Sequence, residues 1–78
     1  MESIYLDDGI KYFIYDTETI DNLEYTLFVN VNDDSDICFR KTTYINNEKY
    51  FIGLDNEKEF EKVLLTFTKK NIKYLETN

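Results

Sequence analysis

The chain has 78 residues, of which 16 are acidic and 9 are basic, and its formal net charge is −7. A chain of this length forms one domain, predicted here over residues 1–78, and buries only about 60% of the surface that its unfolded form exposes. That leaves little room for a deep catalytic cavity. The seven tyrosines and six phenylalanines are too many large apolar side chains for an intrinsically disordered acidic tail.

The acidic residues are concentrated in the first half of the chain. Residues 1–36 contain ten acids and one base, whereas residues 37–78 contain six acids and eight bases. Proteins bind nucleic acid largely by neutralising its phosphates, so we expect no nucleic acid partner. The charge favours a basic partner, or it serves only to keep the protein in solution.

Cysteine usage and the first residues predict a cytoplasmic protein. Cys38 is the single cysteine, so no internal disulfide can form, and a reducing compartment is the natural location. The sequence Met-Glu-Ser-Ile-Tyr lacks the basic and apolar regions of a signal peptide. No apolar stretch approaches the roughly 20 residues that a membrane helix needs, so we expect no membrane association.

The first half of the chain predicts three strands. Asp8-Gly9 is typical of a two-residue hairpin turn, in which both residues take positive φ. It separates residues 3–6 from residues 10–15, and both runs are rich in the β-branched and aromatic residues that favour strands. After a second turn near Asp21-Asn22, residues 23–31 alternate apolar with mostly polar side chains, which indicates a half-buried strand.

Two more strands and a helix follow. We predict a loop at residues 32–36, a strand at 37–45, a turn at Asn46-Asn47 and a strand at 50–54. Short links join antiparallel neighbours, so the sheet is predicted to be a meander. Helical spacing then relates Phe60, Val63, Leu64 and Phe67. The sequence therefore predicts an α+β fold, a five-stranded antiparallel meander sheet followed by one C-terminal helix packed on one face.

The limits of the helix are predicted less sharply than its centre. Either Asp55 or Asn56 can serve as the N-cap, and Asn56 with Glu59 forms a variant of the capping box. At the other end, Asn71 can cap the helix. Equally, the helical face can continue beyond Asn71.

The sequence contains no catalytic constellation. It has no histidine, the commonest general base and metal ligand. Cys38 is predicted to be a small buried hydrophobic residue, although Arg40 on the same strand face leaves a reactive thiol as the alternative. The acids at positions 33, 34 and 36 lack the glycine and the last glutamate of an EF-hand loop. We expect no enzyme, no catalytic residue, no metal and no cofactor.

One face of the predicted sheet is a candidate surface for binding a partner. The helix should cover the face that carries Tyr25, Leu27, Val29, Tyr50, Ile52 and Leu54. If Tyr12 and Ile14 also point toward the helix, the opposite face carries the aromatic side chains Phe13, Tyr15, Phe28 and Phe51. Either the twisted sheet shields these four side chains, or the segment after Asn71 covers them, or they form a partner or dimer surface.

Three stretches of the sequence carry a family resemblance. They are residues 4–9, a strand ending in an Asp-Gly turn; residues 24–31, a strand leading into an acidic loop; and residues 50–60, a strand entering an acidic helix start. On these, residues 4–69 resemble the YrzB-like family of small acidic bacterial proteins, a family of unknown function. The chain departs from the family in lacking an acidic C-terminal tail. The resemblance implies a cytoplasmic bacterial protein and brings no activity, substrate or cofactor.

These observations predict a non-enzymatic protein-binding module. Its partner is an unknown protein or a second copy of the chain, and the predicted contact residues are Phe13, Tyr15, Phe28 and Phe51. The alternative is an acidic inhibitor that mimics nucleic acid, as phage-encoded proteins can, because the first half of the chain is rich in carboxylates.

Overall fold

The computed structural model describes residues 1–70. Its elements are β1 (Ser3–Tyr5), β2 (Lys11–Ile20), β3 (Leu23–Asn30), β4 (Asp33–Ile45), β5 (Glu48–Ile52) and α1 (Glu57–Lys70). The sheet order is β1-β2-β3-β4-β5, and every neighbouring pair is antiparallel. The predicted α+β fold, with a five-stranded meander and one C-terminal helix, is confirmed. The alternatives for the segment after Asn71 lie outside the described residues.

Two of the predicted turns have the backbone of tight hairpins. Asp21 and Asn22 have φ angles of 51° and 67°, and Asn46 and Asn47 have 52° and 69°. Positive φ at both central residues defines the I′ turn, whose twist matches that of the flanking strands. Asparagine and aspartate take this left-handed conformation at lower cost than most residues, so these pairs fix where each hairpin folds.

The first turn differs from its prediction. Only Gly9 has a positive φ there (78°), and the loop spans three residues, because Leu6 and Ile10 close it through a 3.1 Å bond from the Leu6 N–H to the Ile10 carbonyl. The Gly9 N–H also donates to the Leu6 carbonyl at 3.0 Å. This is the three-residue hairpin loop that ends in a left-handed glycine. The Asp8 carboxylate stabilises it by accepting the Ile10 N–H at 2.9 Å.

Strand β2 contains a bulge. Ile14 lies opposite Phe28, but Asp16 lies opposite Leu27, so Tyr15 is an extra residue in the ladder. An extra residue bends the strand and changes which side chains face which side of the sheet. Beyond the bulge the strand continues to Ile20, five residues past its predicted end.

Strand β4 begins earlier than predicted, and the expected loop at residues 32–36 is wrong for most of its length. Asp33 already pairs with Asn30, whereas Ile37 pairs with Val29, so three residues bulge between them. Side chains hold this irregular start, since Asn30 Nδ2 donates to Asp36 Oδ2 at 3.0 Å. The acidic composition suggested a solvated turn, but backbone pairing with β3 overrides that preference.

Helix α1 packs on one face of the sheet. The core there is formed by Tyr25, Leu27, Phe39, Val63 and Phe67. Leu27, Val63 and Phe67 are completely buried, whereas the Phe60 side chain is 43% exposed. Phe60 touches this core through an edge contact with the Phe39 ring, at 5.8 Å between centroids. The helix therefore covers β2, β3 and β4, and leaves β5 largely open.

Candidate functional site

The structure does not assemble the predicted aromatic face. Phe28 and Phe51 lie together, with ring centroids 5.1 Å apart in an edge contact. Phe13, however, lies opposite Val29, which shares the helix-covered face with Leu27. Tyr15 packs directly against the helix-side core. The prediction that all four side chains share the face away from the helix is therefore wrong for Phe13 and Tyr15.

The bulge at Tyr15 is the physical reason for this difference. Tyr12 and Ile14 pair with Asn30 and Phe28, so they point away from the helix, opposite to the orientation that the prediction assumed. The Tyr12 ring contacts Phe28 edge-on at 6.3 Å between centroids. Phe28 is completely buried, so this side of the sheet holds a second small core and not an open contact surface.

Ionisable side chains concentrate where the helix begins. Glu59 lies at their centre: its Oε2 accepts hydrogen bonds from the Tyr25 hydroxyl at 2.6 Å and from Lys41 Nζ at 2.9 Å. Lys41 also donates to Asp55 Oδ2 at 3.0 Å. We call the group formed by Tyr25, Lys41, Asp55 and Glu59 the anchor network, because it ties the helix to β3 and β4.

The same glutamate completes the helix cap. The Glu59 N–H donates to Asn56 Oδ1 at 2.9 Å, so Asn56 is the N-cap, one of the two predicted candidates. Glu59 Oε1 then accepts the N–H of Asp55 at 2.6 Å, one residue before the position that a standard capping box uses. The sequence pattern therefore identified the cap but could not show the link to the sheet.

Burial and hydrogen bonding shift the pKa values in the anchor network. The hydrogen bond from Tyr25, with those from Asp55 and Lys41, lowers the pKa of Glu59 to about 2. Burial, with the bond to Glu59, raises the pKa of Tyr25 to about 12. Bonds to Glu59 and Asp55 raise the pKa of Lys41. Each shift favours the state that makes the bonds, as expected for a structural network.

Several kinds of site are not found within residues 1–70. No group of three or more His, Cys, Asp or Glu side chains there could hold a metal ion, and no helix there has the length and apolar character of a membrane span. The Cys38 thiol is partly buried, and burial raises its pKa despite the opposing effect of Arg40. A raised pKa keeps the thiol protonated and weakly nucleophilic.

The β4–β5 hairpin is the most exposed apolar part of the sheet. Pairing between β3 and β4 ends at Tyr25 and Lys41, whereas β4 and β5 stay paired out to Ile45 and Glu48. An open cleft of about 310 Å³, lined partly by Glu24 and Thr42, lies where β3 and β4 separate. We call residues 42–52 the hairpin arm, because its outer part extends past the end of the β3–β4 ladder.

Large apolar side chains lie on both faces of the hairpin arm. Tyr44, Ile45, Tyr50 and Ile52 are between 40% and 65% exposed. Tyr50 and Ile52 pair with Thr43 and Lys41, so they share the face of the helix, as predicted, but the helix does not cover them. Sequence analysis did not identify the arm as a site. The apolar residues on either side of the Asn46-Asn47 turn could have indicated it, because a hairpin end is usually exposed.

Strand β5 is also an edge of the sheet. It pairs with β4 alone among the described strands, and its five pairs show no register shift. Edge strands are usually protected by brevity, charged side chains, proline or a bulge, and of these β5 has the charged residues Glu48 and Lys49. The opposite edge, β1, has only three residues, whereas β5 has five regular residues without proline.

Comparisons with known proteins gave no relative. No protein-family model, no curated protein and no solved structure matches this chain.

Proposed function

We propose that this chain is a non-enzymatic protein-binding module that contacts its partner through the hairpin arm. The observation that carries the proposal is the exposure of Tyr44, Ile45, Tyr50 and Ile52 on one hairpin whose outer strand is a regular sheet edge. Ile45, Tyr50 and Ile52 lie on one face of the arm and Tyr44 on the other, and exposed apolar side chains that cluster in this way mark interaction sites. Tyrosine is enriched in such interfaces, and an open edge can accept a further strand.

A non-enzymatic role is supported by the use that the fold makes of its ionisable groups. Glu59, Tyr25 and Lys41 have shifted pKa values, and Tyr25 and Lys41 each donate a hydrogen bond to Glu59 between helix and sheet. Tyr25 and Glu59 also line an open cleft of about 380 Å³, and perturbed groups beside a cavity are typical of catalytic sites. Here, however, the Tyr25 hydroxyl and the Glu59 carboxylate are already engaged in the bonds of the anchor network, which supports a structural role.

The acidic nucleic-acid mimic is the weaker proposal. A mimic needs rows of free carboxylates. Four of the ten acids in residues 1–36 form ion pairs with lysines instead: Asp16 and Glu18 with Lys70, Asp21 with Lys62, and Glu24 with Lys49. The cytoplasmic location, supported by the single free Cys38, and membership of the YrzB-like family both stay proposals.

Site-specific photocrosslinking tests the proposed surface. A photoreactive phenylalanine analogue replaces Tyr44 on the arm or, as the control, Leu65 on the helix, which is similarly exposed. Each chain is irradiated in native extract. We expect discrete adducts of higher mass from position 44 and none of the same mass from position 65. Adducts that are equal at both positions, or absent from position 44, would contradict the proposal.

A further inference from the structure

The main-chain groups on the outer side of β5 can be assigned residue by residue. A two-residue I′ turn makes the residues flanking it a hydrogen-bonded pair, here Ile45 and Glu48. Hydrogen-bonded pairs then recur at every second position, so Tyr50 and Ile52 also bond toward β4. The N–H and C=O groups of Lys49 and Phe51 therefore point away from the sheet, toward any strand added at this edge.

This spacing selects one register for pairing β5 with a second copy of itself. In an antiparallel pair with two-fold symmetry, an axis at Tyr50 sets Lys49 of each copy opposite Phe51 of the other. Both outward residues of each strand are then used, which gives four main-chain hydrogen bonds. An axis at Lys49 or at Phe51 gives only two bonds within β5.

The side chains agree with the same register. An axis at Lys49 would set two ammonium groups directly opposite each other, which is unfavourable. An axis at Tyr50 instead sets Lys49 opposite the Phe51 ring of the other copy. Within one chain, Lys49 Nζ already lies 5.2 Å from the centroid of its own Phe51, so this cation and ring are a compatible pair.

From this self-complementarity we propose that a second copy of this chain binds at the hairpin arm, with β5 pairing antiparallel to β5 about a two-fold axis at Tyr50. The inference rests on the proposed function and names its partner. The two five-residue strands bury less than the roughly 1,600 Å² of a standard interface. Each copy also carries a net charge of −7. The dimer is therefore weak, with a dissociation constant in the micromolar range or above, and salt strengthens it by screening the repulsion.

Sedimentation equilibrium of the full chain over a wide concentration range tests the dimer. Lys49→Pro removes an outward N–H without touching the β4–β5 ladder, and we expect it to raise the dissociation constant about tenfold or more, because two of the four bonds are lost. Lys49→Ala is the control for the side chain and should have a smaller effect. A chain that is monomeric at every concentration, or an equal effect of both variants, would overturn the strand pairing.

The opposite edge provides a matched proline control. Glu2, Leu6 and Ile10 form main-chain bonds within the β1–β2 hairpin, and the alternation leaves the Ser3 N–H on the outer side of β1. Ser3→Pro therefore makes the same chemical change at the other edge. We expect its dissociation constant to equal that of the unsubstituted chain, and a matching loss at Ser3 would contradict pairing at β5.

Amide hydrogen exchange on the unsubstituted chain keeps the proposal testable if Lys49→Pro does not fold. The amides of Lys49 and Phe51 should gain protection as concentration rises, while those of Ser3 and Tyr5 should not. Protection at Lys49 that is independent of concentration would mean that the same chain covers the edge, and would overturn the proposal.

A monomer that still crosslinks other proteins at Tyr44 would overturn this inference alone, whereas absence of all adducts would overturn the proposed function as well.

Discussion

The Tyr25 hydroxyl donates a 2.6 Å hydrogen bond to Glu59 Oε2, joining strand β3 to helix α1 across 34 residues of sequence. Lys41 of β4 donates to the same oxygen, and the other oxygen accepts the main-chain N–H of Asp55. One carboxylate thus holds two strands and the segment before the helix. The charge of Glu59 therefore adds to the apolar packing of Val63 and Phe67 in holding the helix on the sheet.

Replacing that charge should destabilise the fold. Glu59→Gln keeps the side-chain shape but weakens bonds from Tyr25, Lys41 and Asp55, so we expect a loss of about 1.5–3 kcal/mol in the free energy of unfolding. Glu61→Gln removes the same charge from an exposed helix position and should change it by less than about 0.5 kcal/mol. Urea melts of both variants measure the free energy of unfolding. Equal losses in the two variants would contradict a stabilising role for the anchor network.

The anchor network also predicts how stability depends on pH. The pKa of Glu59 falls from 4.5 to about 2 on folding, so the unfolded chain binds the proton more readily. The stability from Glu59 is present above pH 4.5 and is lost as the pH falls toward 2. Denaturant melts across this range should show that the free energy of unfolding falls steeply with pH in the unsubstituted chain and less steeply in Glu59→Gln. Parallel curves for the two chains would contradict the assignment of this pH dependence to Glu59.

At alkaline pH two buried tyrosines should contribute to the pH dependence of stability, Tyr25 and also Tyr12, whose pKa is raised to about 12 by burial and by its bond to Asp8. Burial and the bond to Glu59 raise the pKa of Tyr25 from 10.0 to about 12, so the folded state favours the neutral phenol. The stability from Tyr25 is present below pH 10 and is lost as the pH rises toward 12. Tyr25→Phe cannot ionise, so its melts should depend less on pH in this range. A dependence as steep as that of the unsubstituted chain would contradict the prediction.

The two cores should respond differently from the helix surface when large side chains are truncated. Leu27, Phe28 and Phe67 are completely buried, so each alanine variant should lose about 2–5 kcal/mol. Helical spacing groups Phe60 with Phe67, but the Phe60 side chain is 43% exposed, so Phe60→Ala should cost less, about 1 kcal/mol. Denaturant melts give the free energy of unfolding of each variant. If Phe28→Ala lost as little stability as Phe60→Ala, the second core around Phe28 would be contradicted.

Local signals in the sequence predicted most of the fold. The pairs Asp21-Asn22 and Asn46-Asn47 placed two hairpins because few other residues take positive φ readily. Helical spacing of apolar residues, with Asn56 before it, placed α1. Turn and helix signals depend on residues that are close together in the chain, so they can be recognised from a single sequence.

What the sequence could not predict depends on long-range pairing. Residues 12–15 are all aromatic or aliphatic, so they show no alternation that could reveal the bulge at Tyr15 or the face on which Phe13 lies. Exposure of Tyr44 likewise depends on where β3 ends relative to β4, which the residues of β4 do not encode. The fold class is therefore confirmed, whereas the prediction that the four aromatic side chains share one face is wrong for Phe13 and Tyr15.

The hairpin arm as a contact surface is tested most directly by capture. A tagged chain, its Tyr44→Ser/Ile45→Ser variant and its Leu65→Ser control are each mixed with untagged chain and with native extract, and bound polypeptides are quantified by mass spectrometry. Circular dichroism first confirms that all three are folded. We predict that the arm variant loses most of the polypeptide captured from the extract, while Leu65→Ser retains it. Equal capture by the arm variant and the unsubstituted chain would contradict the central claim.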